Sequence, residues 1–260
     1  MVHIGCELMN EESLLVRDMI FPLILCRQNG EGTVELVEFL GTGFLIGNKN
    51  YALTAGHVVN VNISVNTAIV AMFVGDDCKW RVQDAHIVAI HPKEDIALLL
   101  IGGDHTKKPN FQPCLDKQYS GFQYKLFGYP QVNFYENTET RDMCGRVLGR
   151  PDMIFSEGHI RRRTSWELLN IKGTQLYELS TPVGKGCSGS PIFRIVNNVW
   201  LAVGVYIADQ VKTINVEHYD KNLEWKIDFI EFPGELSYAT RMDAIENWQV
   251  NEHSKFTDFI

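Results

Sequence analysis

The segment GTGFLIGNKNYALTAGHV, residues 41–58, decides the fold and carries the first candidate functional side chain. Two apolar runs within it are separated by the turn signal Gly47-Asn48, which predicts two short strands joined by a turn. His57 directly follows the second predicted strand. A single histidine in such a place is usually structural. The segment therefore predicts β-structure first, and a functional site only if distant segments supply partners.

The same pattern of short apolar runs and turn signals continues along the chain. Strand-like runs alternate with turn signals between residues 20 and 101, and again between residues 124 and 242. Strong helical periodicity is confined to residues 243–249, and the proline-containing residues 107–117 form the best candidate linker. Many short strands with regular turns predict an all-β barrel or sandwich fold, and each half of the chain has a suitable length for a small barrel.

Composition excludes several function classes. The chain has 260 residues, 45% hydrophobic residues and a formal net charge of −8, which is ordinary for a globular protein. It has no apolar run of the ~18 residues that a membrane span needs, so we expect no membrane partner. The acidic balance argues against nucleic acid as a partner, because binding to phosphates needs concentrated positive charge.

The cysteines and histidines give no sign of a metal site. None of the six cysteines forms a CxxC pair, and the histidines lack metal-ligand spacing, so we expect neither a metal nor a cofactor. The N-terminus lacks the basic start and uninterrupted apolar stretch of a secretory signal. We therefore expect a cytoplasmic protein with reduced thiols, although an even cysteine count leaves a set of disulfides open.

Two further segments stand out beside the one that contains His57. Asp95 lies in HPKEDIALLLI, at the entrance to an apolar predicted strand, and Ser188 lies in GCSGSP, residues 186–191. Each segment alone has an ordinary reading, since an acid at a strand start is usually solvated and a glycine-serine cluster is usually a turn. The order histidine, aspartate, serine, each in its own particular context, is much harder to obtain by chance.

These segments resemble the motifs of trypsin-like (chymotrypsin-fold) serine proteases, which are TA-x-H, D-I/L-A-L and G-x-S-G-G/S-P in that order. This chain has TAGH, DIALL and GCSGSP, and the resemblance covers roughly residues 20–245. Residues 41–59 resemble the HtrA-type proteases most closely. Residues 177–193, YELSTPVGKGCSGSPIF, resemble the staphylococcal glutamyl endopeptidases.

The resemblance implies a fold and a division of the chain. The fold would be all-β, with two antiparallel six-stranded β-barrels and a short C-terminal helix. Residues 1–114 would form the barrel that carries His57 and Asp95, and residues 115–260 the barrel that carries Ser188. Residues 209–233 are longer than the short loop that the family usually has there, and their alternating pattern predicts an extra hairpin.

The resemblance also implies a serine endopeptidase that works through an acyl-enzyme intermediate. Ser188 would attack the scissile carbonyl, His57 would take its proton, and Asp95 would orient His57. The backbone N–H groups of Gly186 and Ser188 would form the oxyanion hole.

Other side chains compete for two of these roles. The motif places a glycine two residues before and one residue after the nucleophile, which selects Ser188 over Cys187 and over Ser190. Asp95 is the only candidate acid that leads straight into an Ile-Ala-Leu-Leu strand. That context selects it over four other aspartates of the first half, which are Asp76, Asp77, Asp84 and Asp104.

Family geometry also suggests which residues contact a protein or peptide substrate. Val183, Tyr206 and Leu236 would line a small apolar pocket, and residues 181–183 include no aspartate to favour arginine or lysine.

Regulation by a partner is the last expectation. Cys187 stands where relatives activated by N-terminal cleavage carry an aspartate, so we expect a processing or effector protease with a protein activator. The alternative function is a catalytically silent protease-like binding or scaffold module.

Overall fold

A computed structural model describes residues 16–28, 34–47, 49–74, 80–105, 110–130, 152–168, 170–219, 221 and 224–260. Within this part of the chain the protein is all-β. The first group of strands comprises β1 (Ile20–Gln28), β2 (Val34–Leu45), β3 (Tyr51–Thr54), β4 (Thr67–Val74), β5 (Trp80–Ile90) and β6 (Ala97–Ile101). The second comprises β7 (Gln112–Pro113), β8 (Gln123–Gly128), β9 (Ile154–Ser165), β10 (Gln175–Leu179), β11 (Pro191–Val196), β12 (Val199–Tyr219) and β13 (Trp225–Arg241).

The first six strands form a closed barrel in the order β1-β2-β3-β6-β5-β4. All its pairings are antiparallel, and β1 closes the ring by pairing with β2 on one edge and β4 on the other. Apolar side chains fill the interior, including the fully buried Phe21, Leu23, Leu45 and Leu99. Strands with alternating apolar residues can bury one face in this way, which explains why the sequence pattern predicted β-structure. The all-β class is confirmed.

The second group of strands forms a seven-stranded sheet in the order β11-β8-β9-β10-β13-β12-β7. β11 also pairs with β12, from Pro191 opposite Val205 to Val196 opposite Val199, so six of the strands form a ring of pairings. The two-residue strand β7 adds to this ring by parallel pairing with β12. The sheet therefore has seven strands where six were expected, because residues of the predicted linker join it.

A core shared by the two sheets joins them. Ile20, Phe44 and Leu98 of the barrel pack in one cluster with Phe193 and Val205 of the second sheet. All five side chains are fully buried. This packing holds the two sheets against each other, while the domain boundary at residues 114/115 stays a prediction.

The C-terminal helix expected at residues 243–249 is replaced by shorter elements. A 3-10 helix spans Met242–Ala244, and the hairpin of β14 (Gln249–Asn251) and β15 (Ser254–Lys255) leads to a second 3-10 helix, Phe256–Asp258. Met242, Ile245 and Trp248 are all buried in the shared core. Their spacing of three residues fits 3-10 turns, and the Ile245 and Trp248 N–H groups each donate to the carbonyl three residues earlier. An α-helical pattern contains the same spacing, which is why the sequence predicts an α-helix here.

The segment expected to form an extra hairpin extends β12 and β13 beyond the sheet. The two strands pair from Val211 opposite Pro233 to Tyr219 opposite Trp225. We call residues 211–219 and 225–233 the arm. Most of its apolar side chains are exposed, namely Val211, Ile214, Val216, Tyr219, Trp225, Ile227, Phe229 and Ile230.

A buried carboxylate connects the barrel to the second sheet beside Asp95. Glu94 accepts hydrogen bonds from the Thr174 N–H at 2.9 Å, the Thr174 hydroxyl at 2.8 Å and the Gln175 N–H at 3.1 Å. The Thr240 hydroxyl donates to the Asp95 carbonyl at 3.4 Å. Together these bonds hold the segment before β6 against the start of β10 and against the end of β13, which contains Thr240.

We predict that Glu94→Gln lowers the free energy of unfolding by about 1–3 kcal/mol. The two carboxylate oxygens of Glu94 accept three hydrogen bonds, whereas the amide of glutamine has only one acceptor oxygen. Urea unfolding measures this loss. Glu38→Gln, at an exposed position on β2, is the matched control and should have almost no effect. Equal midpoints for the two variants would contradict the role of Glu94.

Candidate active site

His57 lies where the barrel strand β3 gives way to the short helix Gly56–Val59. Its Nδ1 is 2.6 Å from Oδ2 of Asp95, and its backbone N–H donates to Oδ1 of Asp95 at 2.8 Å. The Asp95 side chain is 4% exposed, whereas that of His57 is 47% exposed. The buried carboxylate thus holds both the backbone and the ring of a histidine that faces the solvent.

The contact with Asp95 determines which ring nitrogen of His57 is available. An ionised carboxylate only accepts hydrogen bonds, so Nδ1 carries the hydrogen that it shares with Asp95. Nε2 then has a free lone pair and can take a proton from another group. This is the arrangement that a general base needs.

Ser188 lies in the second of two consecutive tight turns that contact the barrel, closed by a hydrogen bond from the Ser190 N–H to the Cys187 carbonyl at 3.0 Å. The Cys187 N–H donates to the Gly184 carbonyl at 3.4 Å, and Gly186 has φ 92°, as the third position of such a turn requires. At Gly189 a Cβ would lie 1.9 Å from the Thr42 carbonyl, so no larger residue fits. The two glycines therefore allow the turn to approach β2 closely.

Thr42 of β2 binds this turn through both its backbone and its side chain. Its N–H donates to the Ser188 carbonyl at 2.8 Å, and its hydroxyl lies 3.1 Å from the Gly186 carbonyl. The same hydroxyl accepts from the Tyr129 N–H at 3.0 Å, and the Thr54 hydroxyl donates to the Thr42 carbonyl at 2.7 Å. Thr42 thereby joins β2, β3 and the end of β8 to the turn that carries Ser188.

The structure brings His57, Asp95 and Ser188 to one cleft, but the serine hydroxyl is hydrogen-bonded to a backbone carbonyl and not to the histidine. The hydroxyl of Ser188 donates to the Ile207 carbonyl at 2.8 Å. Ser188 and His57 both belong to the described residues, and no hydrogen bond joins their side chains. A rotation about the Cα–Cβ bond of Ser188 would release its hydroxyl from Ile207.

The backbone N–H groups of Gly186 and Ser188, the predicted oxyanion donors, have no acceptor among the described residues. Ser188 lines the cleft, and Gly186 lies two residues before it in the chain. Unpaired N–H groups next to a serine hydroxyl suit a developing negative charge on a substrate oxygen.

The cleft has a volume of about 370 Å³ and mixes apolar and charged groups. Residues from both sheets line it, namely His57, Asp95, Asn170, Ile171, Lys172, Gly184, Lys185, Ser188, Tyr206, Ile207, Ala208, Asp209 and Val211. Of the three predicted pocket residues, Tyr206 is in this lining, whereas Val183 and Leu236 are not. Residues 170–172 were missed from the sequence because they precede β10 in a turn that has no motif.

Asp209 is a further cleft residue whose role no sequence motif predicted. Its Oδ1 accepts from the Tyr206 hydroxyl and from the Val183 N–H at 2.9 Å, and its Oδ2 accepts from the Gly184 N–H at 2.7 Å. Burial and the charge of Asp209 raise the pKa of Tyr206, so its phenol keeps its proton and remains a donor. The carboxylate therefore joins β12 to the segment that begins the turn of Ser188.

Cys187 is chemically unsuited to the role of nucleophile. Its side chain is fully buried, and burial, followed by the charge of Asp209, raises the pKa of its thiol to about 12. A thiol that keeps its proton at neutral pH is a poor nucleophile. Cys26 and Cys114 are also buried free thiols, whereas Cys6, Cys78 and Cys144 lie outside the described residues.

No group of three or more histidine, cysteine, aspartate or glutamate side chains in the described part of the chain could hold a metal ion. None of the helices described there is long and apolar enough to cross a membrane.

Comparisons with known proteins agree with this geometry. A family model for the trypsin-like peptidase domain matches residues 41–205, more than half of the chain. The chain matches none of the curated proteins.

Similar solved structures include HtrA-type proteases. AlgW, solved with a decapeptide, has a TM-score of 0.54 and 13% identity over 90% of this chain and 64% of its own. An AlgW variant with a tripeptide has a TM-score of 0.53 and 15% identity over 95% of this chain and 65% of its own. The active form of the Rv3671c protease from M. tuberculosis has a TM-score of 0.49 and 16% identity over 89% and 79% of the two chains. At these identities the AlgW matches show the fold, and the chain spans less than two thirds of the AlgW length.

We predict that Cys187 resists alkylation by iodoacetamide in the folded protein. With a thiol pKa of about 12, about one molecule in ten thousand is a thiolate at pH 8, and the reactive fraction increases only as the pH rises toward 12. Mass spectrometry of the peptide that contains Cys187 measures the modified fraction. The same peptide should react readily after unfolding in urea, and rapid reaction of the folded protein at pH 8 would contradict the prediction.

Proposed function

Since the chain belongs to the trypsin-like peptidase family, we propose that it is a serine endopeptidase in which Ser188 is the nucleophile, His57 the general base and Asp95 the residue that orients His57. The observation that carries the proposal is the buried Asp95 carboxylate bound to Nδ1 of His57 at 2.6 Å, in the same cleft as Ser188. The pairing of β11 with β12 supports a two-barrel architecture, with one part of the site on each barrel.

The first step forms a tetrahedral intermediate. The Ser188 oxygen attacks the scissile carbonyl carbon while its proton passes to Nε2 of His57. The imidazolium is stabilised by the carboxylate of Asp95, which stays ionised. The negative charge on the carbonyl oxygen is accepted by the N–H groups of Gly186 and Ser188, each worth about 3–4 kcal/mol in related sites.

The second step completes the acyl-enzyme, and its hydrolysis then regenerates the enzyme. His57 gives its proton to the departing amine, the C–N bond breaks, and the acyl group remains on Ser188 as an ester. A water molecule then loses a proton to His57 and attacks the ester carbonyl. The proton finally returns from His57 to the oxygen of Ser188 as the carboxylic acid leaves.

Substrate specificity is the next part of the proposal. The apolar pocket expected from Val183, Tyr206 and Leu236 is supported by the position of Tyr206 in the cleft lining. Asp209 reaches from β12 to the N–H groups of Val183 and Gly184, and its side chain occupies the space between these segments. We therefore propose that a small uncharged residue is preferred at the acyl side of the scissile bond.

The biological setting is proposed on fewer observations. The three buried free thiols of the described residues support a reducing compartment, for which we propose the cytoplasm. The exposed apolar side chains of the arm support a dedicated processing or effector protease that responds to a protein activator.

One observation favours the alternative function of a silent binding module. The Ser188 hydroxyl is bound to the Ile207 carbonyl at 2.8 Å instead of to His57, so this conformation is not ready for attack. A fluorophosphonate probe, which reacts with an activated serine, distinguishes the two functions.

We predict that the probe labels the wild-type protein and that Ser188→Ala abolishes the labelling. Ser188→Ala should also lower kcat/KM for a peptide substrate by at least about 10³-fold, because no other group can form the ester. Ser190→Ala is the matched control, since that hydroxyl is buried without a hydrogen-bond partner and should not affect labelling. A correctly folded wild-type protein that does not react with the probe, even with cell lysate added as a source of activator, would favour the silent module.

The position of Asp209 leads to a prediction about substrate specificity. Asp209→Ser should raise the ratio of kcat/KM for peptides with leucine over alanine at the acyl side about 10-fold, because it removes the carboxylate between β12 and Val183 and leaves a shorter side chain. Asp209→Asn keeps the size of the side chain and should leave the ratio within about 2-fold of the wild-type value. A wild-type preference for arginine or lysine would show instead that the carboxylate contacts substrate.

A further inference from the structure

β12 connects the core of the second sheet, the cleft and the arm as one continuous strand. It runs for 21 residues from Val199 to Tyr219. Residues 202–207 of this strand are buried, with Val203 and Val205 fully enclosed. Its middle part, residues 206–209, lines the cleft together with Val211, and its last part forms one strand of the arm.

One edge of β12 changes from paired to free at the cleft. β11 pairs with it up to Val205. The Tyr206 N–H then donates to the Ser190 carbonyl at 2.9 Å, and the Tyr206 carbonyl accepts from the Gly189 N–H at 2.7 Å. Beyond this point, within the described residues, β12 pairs only with β13 as far as Tyr219.

The free edge belongs to a hairpin that is poorly covered by the rest of the protein. Residues directly opposite in an antiparallel pair share a face, so Ile214 and Ile230 lie on one face of the arm, and Tyr219 and Trp225 on the other. These four side chains are all more than half exposed. An isolated two-stranded hairpin is marginally stable in water, and a third strand would stabilise it.

We propose that the free edge of β12 in the arm, residues 211–219, binds a further extended segment of the protein substrate as an added strand, beyond the part of the substrate that the cleft itself holds. The inference rests on the proposed function and identifies the class of substrate: a chain with an extended stretch of about ten residues, rich in β-branched and aromatic residues, next to its scissile bond. Continuity selects this edge over that of β13, because only β12 runs from the cleft lining into the arm. Strand addition of this kind obtains affinity from backbone hydrogen bonds and selectivity from alternate side chains.

The chemistry of the site decides which side of the substrate is bound. His57, on the barrel, gives its proton to the departing amine, whereas the acyl part remains on Ser188, on the second sheet. β12 belongs to that second sheet. The added strand is therefore the segment N-terminal to the scissile bond. From Ile207 to Tyr219 the edge has a length of roughly 40 Å at about 3.3 Å per residue.

Four synthetic peptides with one common scissile core test the proposal. The first is the core alone, the second has ten alternating threonine, valine and tyrosine residues added N-terminally, and the third has the same residues added C-terminally. The fourth is the second with N-methyl groups at alternate residues, which remove backbone donors. We expect kcat/KM at least about 10-fold higher for the second peptide than for the first, mainly through KM, and values close to the first for the other two.

Two double variants locate the effect on the correct strand. Ile214→Lys with Val216→Lys places charges on β12, and should reduce the ratio of kcat/KM between the second and first peptides to about 1. Ile227→Lys with Phe229→Lys makes the same change on β13 and should keep most of the ratio. All four positions are exposed, so both variants should fold, which circular dichroism checks.

The outcomes separate this inference from the proposed function. Cleavage of the first two peptides at equal rates, or a gain that survives N-methylation or the β12 variant, overturns the added strand while the endopeptidase stands. If fluorophosphonate does not label the protein and no peptide is cleaved, both the proposed function and the inference are wrong.

Discussion

The hydrogen bonds that meet at the buried Thr42 are the constraint on which the site depends. Its backbone N–H binds the Ser188 carbonyl, its hydroxyl contacts Gly186 and Tyr129, and its carbonyl accepts from Thr54. Two sheets with separate pairings could slide against each other, because apolar packing is not directional. Hydrogen bonds have preferred distances and angles, so this group of bonds fixes where the turn of Ser188 lies relative to β3, which leads to His57.

Three carboxylates at or beside the cleft are each held by their own hydrogen-bond donors. Asp95 and Glu94 are neighbours in sequence and are both buried, yet each has its own set of donors. Asp209 has a third set, made of two backbone N–H groups and the Tyr206 phenol. Removing a carboxylate from water is costly without such partners, so the buried Glu94 and Asp95 and the half-buried Asp209 each restrict the conformation of the segments that supply their donors.

The sequence predicted those parts of the site that depend on local motifs. His57, Asp95 and Ser188 each lie in a short sequence motif whose residue types suit the chemistry of the site. The structure brings all three residues to one cleft. Asp209, Glu94 and residues 170–172 could not be found this way, because their roles arise from contacts between segments far apart in the chain. The same limit applies to the fold. Short apolar runs between turn signals predicted the strands, whereas the pairing of β7 with β12 depends on the path that the predicted linker takes between the two sheets.

The paired positions of Glu94 and Asp95 have a mechanical consequence. Glu94 holds the backbone of Thr174 and Gln175, directly after the cleft residues 170–172, and Asp95 holds the ring of His57. One peptide bond thus links the rim of the cleft to the orientation of the imidazole. A displacement of residues 170–172 by a bound substrate would be transmitted through Glu94 and Asp95 to the ring of His57. The wall of the cleft that contacts the substrate is therefore mechanically coupled to the group that accepts the proton.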